Sequence, residues 1–196
     1  MLMTEKPKKI LVHTCCAACA SHVFFELKKL NFEVTAYFYN PQIHGRSEYD
    51  ARLKDVADHC EEYGIKLIVP KYNVHDFFEP LLPFQDKRSI KYITDKERYK
   101  RKRCQLCINL LMSNTVVQAG KNKIKNISTT MLCSPYKNHE EIWNSGSELA
   151  ANHKIEFFYK DFRKGYWYGR NYARNHTYLI PGYCGCSESL EEGRLE

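Results

Sequence analysis

Cysteine is the residue type in this chain best placed to do chemistry, and it occurs in three groups. Cys15, Cys16 and Cys19 crowd into His13-Thr-Cys-Cys-Ala-Ala-Cys19, Cys104-Gln-Leu-Cys107 is a Cys-x-x-Cys pair, and Cys184-Gly-Cys186 is a third group near the C-terminus. The chain has nine cysteines, an odd number, so they cannot all be paired as disulfides within it. Cys16/Cys19 and Cys104/Cys107 have the spacing of a structural zinc site, which takes four ligands. Seven clustered thiols exceed one tetrahedral site, however, and suit an iron–sulfur cluster or two neighbouring centres. A dithiol exchange pair at Cys16/Cys19 is a third reading, and it leaves the other thiols unexplained. The thiol count favours the cluster; zinc and dithiol stay open. Cys60 and Cys133 stand alone and are expected to be buried apolar filler.

The surrounding pattern says how such groups would be positioned. Ile10-Leu11-Val12 is a short apolar run bounded by polar residues, expected as a buried strand over 9–14. Val23, Phe24, Leu27 and Leu30 recur at helical spacing, giving a helix that starts near Ala20. A thiolate at that strand-to-helix turn would feel the helix N-terminus, which favours negative charge. Further strands are expected over 32–39, 65–69, 124–130 and 155–159, with helices over 47–63, 138–152 and 165–174. The stretch 74–120 reads as mostly helical, broken by Pro80 and Pro83. Alternating strands and helices point to an α/β fold with a mostly parallel sheet flanked by helices. We expect a single domain over 1–196, with a mostly helical insertion at about 74–120 and a cysteine-bearing C-terminal segment. Ligands in such sheets bind beyond the carboxyl ends of the strands, and Thr14-Cys16, Tyr39-His44 and Asp161 all fall there.

Composition narrows the partners. No apolar run approaches the roughly 20 residues needed to span a bilayer, and 1–9 lacks a signal peptide's apolar core. A cytoplasmic location is expected, and in a reducing compartment close cysteines favour metal or redox chemistry over disulfides. The formal charge is +7, with fourteen tyrosines and ten phenylalanines. Cationic surface with aromatic residues suits a nucleic acid, because phosphates supply affinity and bases stack. Arg98, Lys100, Arg101, Lys102 and Arg103 flank Cys104. The run is either a solvated helix face or a guide for a phosphate-rich substrate.

Six stretches together resemble the QueH family of epoxyqueuosine reductases. They are His13-Thr-Cys-Cys-Ala-Ala-Cys19, Tyr37-Phe-Tyr-Asn-Pro-Gln-Ile-His44 with Glu48-Tyr49 and Arg52, Arg103-Cys-Gln-Leu-Cys107, Cys133-Ser-Pro-Tyr136 with His139-Glu140, Asp161-Phe-Arg-Lys-Gly-Tyr-Trp167, and Tyr183-Cys-Gly-Cys186. The resemblance spans nearly the whole chain. It implies a HUP-like fold and reduction of epoxyqueuosine to queuosine at the wobble position of tRNA, without cobalamin. It also implies a 4Fe-4S cluster, a second metal ion (iron) held nearby by cysteines and an aspartate, and an electron donor as partner. By motif the metal ligands carry over to Cys15, Cys16, Cys104, Cys107, Cys184 and Cys186, with Asp161 as the acid. Ala18 stands where the family turn usually has proline, which changes turn rigidity and removes no ligand. Relatives of the fold that activate substrates with ATP carry a Ser-Gly-Gly-x-Asp-Ser loop after the first strand, and this chain has cysteines there instead.

Within that frame Asp161, His13 and Tyr136 are the expected catalytic residues, with His139 and Tyr183 as further proton donors. Arg98, Arg101, Arg103, Arg163 and Lys164 are expected on tRNA phosphates, and Trp167, with Tyr166 as the alternative, on an anticodon base. Two other functions compete: a zinc-stabilised nucleic-acid-binding module, and a cluster-dependent tRNA sulfur transferase.

Overall fold

Strand β1 (Lys8–His13) runs through the middle of the molecule, and its last four residues are buried. The computed structural model describes residues 6–84 and 96–192, the side chains at 84 and 96–98 excepted. β1 pairs in parallel with β2 (Phe32–Tyr37) on one side and with β4 (Asn126–Thr129) on the other. β3 (Lys66–Ile68) and β5 (Glu156–Phe157) extend the two edges, giving the order β3-β2-β1-β4-β5. All four pairings are parallel. The expected α/β architecture is present, with the sheet wholly parallel among the described residues.

Helices α1 (Ala17–Lys29) and α2 (Arg46–Glu62) make the crossovers on the β2–β3 side, and α1 packs closely against α6 (Tyr166–Asn175). A Cβ on Gly169 of α6 would lie 2.0 Å from the Ala18 carbonyl oxygen, so glycine permits the contact. The long α4 (Lys96–Lys121) crosses over and packs on β1, β4 and α5 (His139–Ala151). Between β3 and α4 come the short α3 (His75–Phe78) and a 3-10 turn over Glu79–Phe84, which includes Pro83. The chain closes with α7 (Ser187–Glu191), a helix the sequence pattern did not announce. Ile10, Leu11, Val12, Phe24, Leu27, Leu111, Met112 and Ile127 build the core between the layers. Cys60 and Cys133 are buried in that same core, as filler would be. No described helix is long and apolar enough to cross a membrane.

One helix start differs from expectation and another matches it. α1 begins at Ala17, three residues earlier than the apolar spacing suggested, because Ala17, Ala18 and Ala20 are strong helix formers. Cys16 is thereby the residue capping the helix, and Cys19 lies in its first turn. For α5 the expected start holds: the Asn138 side chain caps it, accepting from Glu140 N and Glu141 N at 3.0 and 3.2 Å.

Candidate metal centre

β1 ends at His13 and α1 starts at Ala17, so Thr14, Cys15 and Cys16 turn at the carboxyl edge of the sheet. His13 locks this turn to its neighbours. Its Nδ1 lies 3.0 Å from Thr129 Oγ1 on β4, and its Nε2 lies 3.2 Å from both the Tyr39 carbonyl and Asn40 Oδ1. Asn40 Nδ2 in turn donates to the Thr14 carbonyl at 2.8 Å. Burial lowers the His13 pKa from its ordinary value, so the ring is neutral at pH 7.

The three thiols of the turn face one another: the sulfurs of Cys15, Cys16 and Cys19 all lie within 4.8 Å. Such a set could hold a metal ion. Cys15 Sγ sits 3.9 Å from Cys16 Sγ and 3.4 Å from Thr130 Oγ1, and the Cys15 amide donates to the same hydroxyl at 3.2 Å. Hydrogen bonds from Cys16 and Cys19 hold the Cys15 thiol well below its usual range. The Cys15 thiolate pushes Cys16 up, and Cys133 and Cys15 do the same to Cys19. One sulfur is thus poised as a thiolate by two protonated neighbours, and a bound metal would displace those protons.

The other two cysteine pairs arrive from opposite directions. Cys104 and Cys107 are three residues apart on α4, hence on one helical face. Burial pushes the Cys107 thiol up to about 12. The Cys184-Gly-Cys186 segment is fastened to the loop after β2. Gly185 has φ +105°, and a Cβ there would lie 2.6 Å from Ile43 Cγ1, so only glycine fits. The Gly185 carbonyl accepts from His44 N at 2.9 Å, and Tyr183 Oη donates to the His44 carbonyl at 3.1 Å. Buried Arg52, paired with Glu48 at 2.7 Å, donates to the carbonyls of Tyr183 and Cys184. From the other side Arg103 binds Glu188 at 2.7 Å and Glu192 at 2.8 and 3.0 Å, which ties α4 to α7. Cys184 is held well below the usual thiol range by its hydrogen bond with Cys186, helped by Ser189 Oγ at 3.0 Å.

These supports bring Cys15, Cys16, Cys19, Cys104, Cys107, Cys184 and Cys186 to a single cavity of about 540 Å³. Three sequence segments separated by up to 171 positions therefore contribute thiols to one cavity. The donor set fits a sulfur-ligated metal group: seven soft ligands with a hydroxyl, an amine and aromatic rims.

His13 and Tyr136 also line the cavity, as does Tyr183. Tyr166 is buried beside it, whereas Trp167, two-thirds exposed at 61%, lies outside the lining and touches Tyr166 edge to face. Asp161 departs from expectation. Its carboxylate is 42% exposed and is taken up by Arg163 at 2.6 to 3.1 Å, and it is not among the lining residues. Arg163 beside it lowers the Asp161 pKa to about 2. Arg163 is therefore committed locally, while Lys164 and Arg101 are exposed. Arg103 corrects the reading of the basic run: it is 2% exposed in its side chain and serves as a structural ion-pair hub, not a surface phosphate contact. The Arg98 side chain lies outside the described residues. His139 is not itself a lining residue; it bonds Tyr159 Oη and the carbonyl of Ser134, which is one, both at 3.3 Å.

Among the lining residues that escaped the sequence reading are Lys137, Arg170 and Thr130. Lys137 stands directly after the Cys133-Ser-Pro-Tyr136 stretch, and that adjacency was the available signal. Arg52, which the resemblance names with the Tyr37–His44 stretch, is among the lining residues.

The family model for epoxyqueuosine reductase QueH matches residues 10–192. Epoxyqueuosine reductase QueH of Thermotoga maritima is 31% identical, over 94% of this chain and 92% of that protein. The protein of the same name from Dehalococcoides mccartyi is 28% identical, over 94% and 93% respectively. Among solved structures, a predicted subunit of tRNA methyltransferase from Methanocaldococcus jannaschii superposes with a TM-score of 0.53 at 13% identity, covering 85% of this chain and 74% of that one. That likeness concerns the fold alone. With its model matched across nearly every described element and the thiols of three separate segments gathered at one sheet edge, the chain belongs to the epoxyqueuosine reductase QueH family.

Proposed function

We propose that this protein reduces epoxyqueuosine to queuosine at the wobble position of tRNA, using a metal group held in the thiol-lined cavity. The observation that carries the reading is the convergence of seven cysteines on one cavity in a chain of this family. The net reaction converts an epoxide to an alkene and water, and it consumes two electrons and two protons. Cys15, Cys16, Cys104, Cys107, Cys184 and Cys186 are the proposed ligands, and Cys19 joins them because its sulfur completes the triad. When bound, a 4Fe-4S cluster supplies electrons one at a time and a second metal ion, iron, supplies Lewis acidity toward oxygen. An electron donor outside the chain must reload it.

The chain's own residues do the rest. His13 has both ring nitrogens engaged by Thr129, Asn40 and Tyr39, so it holds the Cys15-Cys16 turn in place rather than delivering a proton. Tyr136 lines the cavity and is the proposed proton donor, whereas the Tyr183 hydroxyl is given to the His44 carbonyl at 3.1 Å. A wobble nucleotide can reach the cavity only if it is splayed out of its stack, as single-stranded RNA loops permit. Trp167 offers an exposed face for stacking, and Arg170, whose guanidinium carbon is 5.8 Å from that ring centre, leads from it to the cavity lining. Exposed Lys164 and Arg101 are proposed for phosphates. Asp161 has no part in this reading.

The experiment is anaerobic reconstitution followed by incubation with epoxyqueuosine-containing tRNA and a chemical reductant. Queuosine in the digested tRNA is expected. An intact metal group with no conversion overturns the function.

A further inference from the structure

Lys137 is a cation on the cavity wall that, among the described residues, has no carboxylate partner. Its half-buried side chain lines the same space as the seven thiols. Of the other cations on the wall, Arg103 is paired with Glu188 and Glu192, Arg52 with Glu48 and Lys100 with Glu192, while Arg170 donates to Tyr166 Oη and the Pro181 carbonyl. Its position is fixed by the backbone, one residue before the Asn138 cap of α5 and three after Ser134, whose amide donates to the Met131 carbonyl at 3.1 Å. Removing an ammonium from water is costly unless negative charge surrounds it. Burial opposes the Lys137 charge, and the sulfurs of Cys184, Cys107, Cys104 and Cys15 more than offset that, so its pKa is raised. Those sulfurs come from all three cysteine groups, and Lys137 lines the cavity they share.

We propose that Lys137 is a positioning residue whose fixed positive charge counterbalances the thiolate cavity and raises the reduction potential of the metal group held there. Each electron taken up adds one negative charge to a site already rich in thiolate. A unit cation enclosed with it lowers the energy of the reduced form more than that of the oxidised form, because Coulomb attraction scales with the charge it faces. The effect is strong where protein excludes water and weak on an exposed surface. Metal-site potentials respond to enclosed charge of this kind. The inference rests on the cavity holding a sulfur-ligated metal group, and it is independent of which substrate is reduced.

The test compares wild type, Lys137→Gln and Lys137→Arg after anaerobic reconstitution, without tRNA. Iron and sulfide are counted, and the midpoint potential is read by titration with dithionite under spectroscopic observation. Expected is a full iron and sulfide count in Lys137→Gln with a midpoint shifted to more negative potential, and a midpoint in Lys137→Arg close to wild type. An unshifted midpoint in a fully loaded Lys137→Gln overturns the role. If both variants fail to fold or load, the side chain's shape rather than its charge is required, and that also overturns it. If only Lys137→Gln fails to load while Lys137→Arg loads normally, the need for a cation is upheld. A wild-type chain that takes up no iron refutes the metal reading beneath the proposal.

Discussion

Replacing Arg103 with leucine separates a structural ion-pair hub from a tRNA contact. The side chain is 2% exposed and makes three charge-assisted hydrogen bonds, at 2.7, 2.8 and 3.0 Å, to Glu188 and Glu192. Breaking a fully buried pair costs about 3–5 kcal/mol. Here the two carboxylates are 29% and 33% exposed and recover part of their hydration, so about 2–4 kcal/mol is expected. In a protein of this size each kcal/mol moves Tm by roughly 2–4 °C, so Arg103→Leu should melt about 5–15 °C lower. It should also hold less iron after reconstitution, because α7 follows directly on Cys186 and loses its tie to α4. Thermal unfolding followed by circular dichroism reads the first effect, and iron analysis of the same sample reads the second. Arg101→Leu is the control: Arg101 is exposed, so its Tm should stay at the wild-type value while tRNA binding weakens and loses some salt dependence. If Arg103→Leu kept its Tm and its iron and lost only tRNA affinity, the hub assignment would be wrong.

Gly185→Ala should damage the site, since it adds left-handed strain of about 1–2 kcal/mol to a 2.6 Å contact with Ile43. Loss of iron with the fold retained by circular dichroism is expected, and full iron loading would contradict the docking described for the Cys184–Cys186 turn. Asp161→Asn should leave iron content and Tm unchanged, because the carboxylate faces Arg163 and solvent; loss of a metal ion from that variant would restore Asp161 as a ligand. Acid should destabilise the protein through buried histidines. His59 stacks on Phe24 with its Nδ1 unpartnered, and burial lowers its pKa to about 4. The unfolded chain takes up that proton near pH 6.5 and the folded chain only near 4, so stability falls as pH drops through this window, by up to about 3 kcal/mol. His13 and His44, also lowered by burial, add to the same slope. Chemical unfolding at pH 7 and pH 4.5 measures it, and a His59→Phe variant with an undiminished slope would reject the assignment.

The parallel sheet was legible because its strands are continuous apolar runs separated by helical periodicity, as Ile10-Leu11-Val12 and Val23-Phe24-Leu27 illustrate. The cysteine groups were legible as types and spacings. What stayed hidden are relations between distant positions. Arg103 looked like one member of a basic run because Glu188 and Glu192 lie more than eighty residues away. Asp161 sits near the carboxyl end of β5, as expected, yet strand position does not decide which way a side chain turns, and Arg163 two residues on captures it. Lys137 is one of many lysines until the cavity encloses it. α7 spans five residues, too short for a periodic signal, and it is held by Arg103 and Tyr99 rather than by an apolar face of its own.

The central claim, that three cysteine segments form one metal-bearing site, is tested most directly by iron, acid-labile sulfide and zinc analysis of the anaerobically reconstituted protein, with its visible spectrum. The account predicts a coloured protein with roughly five irons and four sulfides per chain, one cluster and one further ion. A colourless protein carrying zinc and no sulfide would contradict it, and four irons with no additional metal would remove the second ion.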